Sequence, residues 1–273
     1  MLLRRRIRPQ SLRIWPQNSE KMITSENNGQ LKNLSALMKK SKERQEQGLF
    51  VTEGRKMFNE ALEMGIVEKA FLSENYLREC GEVSCPYETV SNEVFNKISE
   101  TVTPQGVLAL VKIPGAMASE RVKEAKSLVL LENLQDPGNL GTIIRTAEAA
   151  GIDGIVLSRN CVDPYNPKVV RSTMGALFRM PVLYTDDLTL FVKELNKNGF
   201  NTLATHLSAT KPYYEADYKG KTAILIGNEG NGLSDEITDL AREKVIIPMS
   251  GKVESLNASV AAALMMYEVK RNK

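Results

Sequence analysis

The sequence predicts an α/β protein of two units, the larger one built on a parallel sheet covered on both faces. Six short runs in the second half, at 128–131, 154–157, 180–184, 202–205, 223–226 and 245–247, are apolar at both odd and even positions. A strand apolar on both faces is buried on both sides, as in a parallel sheet flanked by helices. Helical stretches alternate with those runs, and no internal repeat is present. Pro114, Gly115 and the small residues up to Ser119 set this half apart from a smaller alternating unit before it.

The elements follow in order. Residues 1–28 lack helical or strand periodicity and end in Asn27, Asn28 and Gly29, so they read as a flexible tail. Leu31, Leu34, Leu37 and Met38 then fall on one helical face with lysines opposite. An apolar strand at 49–51 precedes a helix over 55–64, which Gly65 closes. A strand at 67–72, a helix at 92–99 and a strand at 107–111 complete the first unit. The expected division is therefore a basic tail at 1–28, a small α/β unit at 29–113, a linker at 114–122 and the larger domain at 123–273.

Composition excludes several function classes. A chain of 273 residues with 42% hydrophobic and 25% charged residues buries its own core without staples. No run of about 18 apolar residues is present, so a membrane is not an expected partner. Cys80, Cys85 and Cys161 lack the spacing of a disulfide framework, and the single histidine, His206, is far from all three. No metal site is expected, and unpaired thiols fit the cytoplasm. The net charge of +3 is mild, but its distribution is not even. Arg4, Arg5, Arg6, Arg8 and Arg13 precede the first acid, Glu20, and Lys32, Lys39, Lys40, Lys42 and Arg44 form a second cluster. Both clusters are candidate phosphate contacts. The Arg-rich start also resembles a mitochondrial presequence, although Pro9 and Pro16 interrupt an amphipathic helix. Cytoplasmic location is the expectation, mitochondrial the alternative; residues 1–21 also read as an extension before a start at Met22.

Three polar segments at strand ends carry the chemistry, where open α/β sheets place ligands. The first, 133–141, contains Asn139 and Gly141 and leads into a helix bearing Arg145. Asn139 suits a helix cap, Gly141 a close backbone approach, and the guanidinium fork of Arg145 a phosphate. An ordinary capped helix with a solvated arginine explains the same residues. The second segment, Gly227-Asn228-Glu229-Gly230-Asn231-Gly232, lacks both the dinucleotide fingerprint and the Walker lysine, and Glu229 repels phosphate. A dinucleotide-dependent dehydrogenase is thereby excluded. A turn explains it, as does a site for a neutral or cationic ligand. In the third, 246–249 leads through Ser255 and Asn257 into an Ala-rich helix, where serine and asparagine serve as caps or as polar site groups.

Together, N-x-G-x-x-x-R at 139–145, G-N-E-G at 227–230 and I-P-M with S-L-N-x-S-V-A at 247–261 resemble the SpoU (TrmH-like) RNA 2′-O-ribose methyltransferases of the trefoil-knot superfamily. The resemblance covers about 125–270, and 30–112 resembles that family's small substrate-binding domain. It implies a C-terminal trefoil knot, S-adenosylmethionine as cofactor, and a homodimer whose sites form at the interface. It also implies cofactor contacts at Thr205, Gly227, Ile247, Leu256 and Asn257, and a catalytic group of Asn139, Arg145, Glu229, Ser255 and Asn257. The implied reaction is methylation of a ribose 2′-hydroxyl in RNA, with rRNA as the expected target and tRNA as the alternative. A non-catalytic RNA-binding protein of the same fold is the alternative from another class, and methyl transfer to RNA separates the two.

In-line attack on a sulfonium methyl needs alignment and loss of one proton. Arginine, with a pKa above about 12, is a poor proton acceptor. Arg145 is therefore expected to clamp the adjoining phosphate and stabilise the developing alkoxide. The proton acceptor stays open between that phosphate, water and Arg145 itself.

Overall fold

The computed structural model describes residues 22–114 and 124–272. The arginines at positions 4–13, and the expected linker beyond Pro114, lie outside the described residues. In the first unit, helices α1 (Gly29–Lys39) and α2 (Ser41–Gln47) lead into β1 (Leu49–Glu53), α3 (Arg55–Glu63), β2 (Val67–Ser73) and α4 (Glu74–Cys80). β3 (Tyr87–Val90), α5 (Asn92–Ile98) and β4 (Val107–Lys112) complete it, with strand order β1-β4-β2-β3. The side chain of Asn28 caps α1, whose Leu31, Leu34, Leu37 and Met38 pack with Val51, Phe71 and Leu108 on one face of the sheet. Met57, Phe58 and Ala61 of α3 join the core on the other side.

Two expectations are corrected in this unit. The tail does not extend to residue 28: Ile23 is buried and bridges Val90, its N–H donating to the Thr89 carbonyl at 2.8 Å while Ser91 N–H returns a bond at 3.0 Å. An isoleucine laid along β3 covers an edge whose backbone groups otherwise lack partners. Nor is Arg44 a phosphate contact. It is 3% exposed and donates to the carbonyls of Leu37 (2.6 Å) and Met38 (3.1 Å) and to the carboxylate of Asp163 (2.5 and 2.8 Å). The last-turn carbonyls of α1 need donors, and the planar fork of arginine serves them and the carboxylate together.

The second unit is a seven-stranded parallel sheet in the order β7-β6-β5-β10-β8-β11-β9. Its elements are β5 (Ser127–Leu131), α6 (Pro137–Ala150), β6 (Gly154–Ser158), α7 (Pro167–Thr173), β7 (Val182–Thr185), α8 (Leu188–Lys197) and β8 (Asn201–Thr205). They continue with β9 (Lys211–Pro212), β10 (Thr222–Ile226), α9 (Asp235–Leu240), β11 (Glu243–Ile246) and α10 (Ala258–Arg271). Val129, Leu131, Ile224 and Ile226 face α6, α7 and α10, whereas Leu128, Leu130, Ala223 and Leu225 face α8 and α9. This two-sided burial is the reason the strands read as apolar at both parities.

β10 inserts between β5 and β8, and after β11 the chain returns past β8 and β10 to pack α10 on α6, β5 and β10. A return over strands already in place is the crossing that a knot requires. The two units share one core: Phe50 of β1 lies 4.9 Å from Tyr165 and 6.2 Å from Phe178 between ring centroids. Ion pairs Arg44–Asp163, Arg171–Glu100 (3.2 Å) and Arg179–Glu60 (2.9 Å) surround that contact.

Candidate active site

The site lies beyond the carboxyl ends of β8, β10 and β11, on the side of the sheet's centre where β10 has been inserted. After β10 the chain turns sharply at Gly227, where a Cβ would lie 2.0 Å from the Gly232 carbonyl carbon, so only glycine fits. Asn228 and Gly232 exchange backbone bonds at 3.0 and 2.9 Å, and Asn228 Oδ1 accepts from Gly230 N–H at 2.8 Å. Asn228 Nδ2 donates to the Asn133 carbonyl at 2.8 Å, fixing this loop against the one after β5.

Glu229 is thereby presented to the start of α6. Its carboxylate accepts from Asn139 Nδ2 at 3.0 Å, Asp136 N–H at 3.1 Å and Gln135 N–H at 3.3 Å. Partial burial opposes ionisation, but these donors outweigh it and hold the carboxyl below the usual glutamate range. Asn139 is not the helix cap. Asp136 caps α6, accepting from Asn139 N–H at 2.7 Å, with Pro137 opening the helix. Proline at the first helical position shifts the cap to the residue before it, and this frees the Asn139 side chain for other partners. Its Oδ1 accepts from Asn257 Nδ2 at 2.9 Å. Asn257 caps α10, its Oδ1 accepting from Ser259 N–H at 2.9 Å and Ser259 Oγ at 2.6 Å. One amide side chain thus joins the three polar segments.

Beside this network is a cavity of about 390 Å³. Thr205, Gly227, Glu229, Ile247, Ser255 and Leu256 line it; Asn139, Arg145 and Asn257 are outside the lining. Arg145 is exposed on the outer face of α6, and no hydrogen bond or ion pair of its side chain is found among the described residues. Gly141 meets α7 closely, a Cβ there falling 1.6 Å from Ser172 Oγ and 3.1 Å from the Val169 carbonyl. Leu207, Ser208 and Glu254 also line the cavity and were not singled out from the sequence; Met249 of the I-P-M motif and His206, the single histidine, do so too. The available signal was position, since 206–208 follow β8 directly at the edge that carries Gly227.

Among the described residues no lysine or arginine lines this cavity, whereas Glu229 and Glu254 do, beside Ile226, Ile247 and Leu256. Such a wall suits a ligand with an apolar ring and a positive centre, and disfavours a polyphosphate. S-adenosylmethionine has those features, with an adenine and a sulfonium and no phosphate.

Comparison with known proteins agrees with this geometry. The model of the SpoU rRNA Methylase family matches residues 126–267, and that of the MRM3-like substrate binding domain matches residues 28–109. An uncharacterized tRNA/rRNA methyltransferase of Synechocystis is 35% identical over 92% of this chain and 94% of its own length. The 23S rRNA (guanosine(2553)-2′-O)-methyltransferase RlmP of Bacillus subtilis is 34% identical, covering 92% of this chain and 99% of that protein. Among solved structures, an AdoMet-bound rRNA methyltransferase from Sinorhizobium meliloti superposes with a TM-score of 0.80 at 33% identity, over 92% of this chain and 97% of that one.

Proposed function

The chain belongs to the SpoU rRNA methylase family, and on that premise we propose that it methylates a ribose 2′-hydroxyl of rRNA with S-adenosylmethionine as donor. The observation that carries this reading is the Glu229–Asn139–Asn257 network at the rim of a cavity that no described lysine or arginine lines. The residues present fit the donor: Gly227, Ile247 and Leu256 offer backbone and apolar wall, Thr205 a hydroxyl at the strand end, and Glu229 a carboxylate that stays ionised. When bound, S-adenosylmethionine supplies an activated methyl on a good leaving group.

The chain's own residues supply alignment. Asn139 and Asn257 hold Glu229 and the start of α10 in fixed relation, and Ser255 on the cavity wall offers a donor and an acceptor to the acceptor ribose. Arg145, unengaged among the described residues, clamps the phosphate beside that ribose and stabilises the developing alkoxide. Because Arg145 is outside the cavity lining, the reading includes a homodimer in which one copy's arginine meets the other copy's cavity. In support, Val260, Leu264 and Tyr267 form an apolar stripe along α10 opposite its buried Ala262, Met265, Met266 and Val269, and Val260 and Tyr267 are exposed. Cytoplasmic action belongs to the same proposal, as does preference for rRNA over tRNA, which rests on the substrate-binding unit at 28–109 and on the rRNA-directed relatives.

The test is transfer of labelled methyl from S-adenosylmethionine to protein-free rRNA and tRNA, followed by nucleotide analysis for 2′-O-methylation. Label in alkali-resistant dinucleotides of rRNA is the expected result. Label confined to bases, or to tRNA, contradicts the proposal, and sedimentation showing only monomer at micromolar protein contradicts the dimer.

A further inference from the structure

The seam between the two units has a surface that the active site does not account for. Val102 is 100% exposed at the tip of the loop 99–106, yet that loop is held firmly. Glu53 accepts from Ser99 Oγ, from Thr101 Oγ1 at 2.7 Å and from Glu100 N–H at 3.2 Å. Gln105 Oε1 accepts from Arg55 N–H at 2.8 Å, and Gly106, at φ +78°, lies where a Cβ would fall 2.4 Å from Ser73 Oγ. A mobile loop would fold such a side chain inward; this one presents it.

Across the seam, Met174 at the end of α7 is 44% exposed in the left-handed region, at φ 52° and ψ 36°, which non-glycine residues seldom adopt. Val102 and Met174 flank the same ion pair, Arg171–Glu100, two residues after Glu100 and three after Arg171. Lys56, exposed and unpaired among the described residues, is one helical turn before Glu60, which packs against Gly175 and pairs with Arg179. Arg179 in turn binds Glu148, one turn beyond Arg145 on α6. The pairs Arg171–Glu100, Arg179–Glu60 and Arg179–Glu148 thus link the neighbourhoods of Val102, Met174, Lys56 and Arg145 in sequence steps of two to four residues, crossing from the first unit to the second.

We propose that this seam binds an unpaired stretch of the RNA substrate beside the modified nucleotide, with Val102 and Met174 packing on bases and Lys56 and Arg171 meeting phosphates. This deepens the function proposed above and rests on it. Single-stranded RNA is recognised by apolar packing on splayed bases combined with charge along the backbone, and a preorganised loop binds without paying for its own ordering. The link to Arg145 selects RNA over a protein partner, because these pairs lead to the residue that clamps the phosphate beside the acceptor ribose.

The test compares wild type with Val102→Asp, Met174→Glu and the double variant, using a protein-free large-subunit rRNA transcript as probe. Leu190→Asp, an exposed position on α8 across the sheet, is the control. Thermal midpoints and S-adenosylmethionine affinity by calorimetry are expected to stay at wild-type values. KM for the transcript should rise about tenfold or more in the double variant, with kcat nearly constant, as for loss of base packing. Val102→Ile should restore wild-type KM, and if Val102→Asp lowers the midpoint, Val102→Ser carries the comparison. Variants with KM equal to the Leu190→Asp control overturn the seam proposal alone. Wild type that methylates no RNA overturns the functional reading and the seam with it.

Discussion

Asn139 is the joint between segments otherwise far apart in sequence, 90 positions from Glu229 and 118 from Asn257, so truncating it to alanine tests the whole arrangement. Asn139→Ala removes a bond to a carboxylate, worth about 1.5–3 kcal/mol, and a neutral amide bond worth about 0.5–1.5 kcal/mol. Glu229 and Asn257 both face water, which replaces part of what is lost; the expected destabilisation is about 2 kcal/mol. Glu229→Gln should cost a comparable amount, since its single oxygen can still serve Asp136 N–H and Asn139 Nδ2 while its NH2 group is left facing Gln135 N–H. In a double-mutant cycle the pair should couple by about 1–2 kcal/mol. The pH dependence has a definite sign. A folded-state pKa held low contributes stability above the ordinary glutamate value, about 4.3, and loses it as pH falls through the folded pKa. The gap between wild type and Glu229→Gln should therefore be complete at pH 7 and close in acid, and Asn139→Ala should lose that contribution at higher pH than wild type. Urea denaturation from pH 7 to 3 measures both effects. Additivity within about 0.5 kcal/mol, with unchanged acid limbs, would refute the joint.

Three further outcomes are expected. Arg145→Lys, at an exposed site without partners, should leave the unfolding midpoint unchanged while single-turnover methylation falls about 30- to 1,000-fold and stays flat from pH 7 to 10; recovery at high pH would make Arg145 a base, not a clamp. Arg44→Met strands Asp163 in a mostly buried setting and should cost about 3–5 kcal/mol by urea denaturation, whereas a solvated arginine would cost almost nothing. Burial pushes the Cys85 thiol up to about 11 and raises that of Cys161, so iodoacetamide at pH 8 should alkylate exposed Cys80 first; equal rates by peptide mass mapping would contradict this burial.

The strands of the second unit were legible because 128–131 and 223–226 are apolar on both faces, a pattern set by local burial. Their order was not, because β10 enters between β5 and β8 through contacts that leave no periodicity in the chain. β3 and α4 went unread for a related reason: Tyr87-Glu88-Thr89-Val90, mostly buried but without apolar alternation, becomes a strand only by pairing with β2. Arg44 looked like its neighbours Lys40 and Lys42, and only Asp163, 119 positions away, distinguishes it. Asn139 was read as a cap because asparagine before a helix usually is one, yet Asp136-Pro137 offered the stronger start. The polar groups of the site were legible as residue types at strand ends. The contribution of Leu207 to the apolar wall was not, since a single exposed hydrophobic in a loop carries no pattern.

The insertion of β10 also sets a timetable for the chain as it is made. At about 5–20 residues per second, Asn257 emerges about 6–24 s after Asn139. In the earlier part of that interval, until Thr222–Ile226 is made, β5 has β6 beside it but lacks β10, so one side of a strand buried along its whole length stays open. A product released before Thr222 keeps that open edge permanently. Messages cut short before β10 should therefore yield protein that aggregates, with no partly active enzyme, and holdase chaperones that mask bare strand edges should associate with the nascent chain until Ile226 has been made.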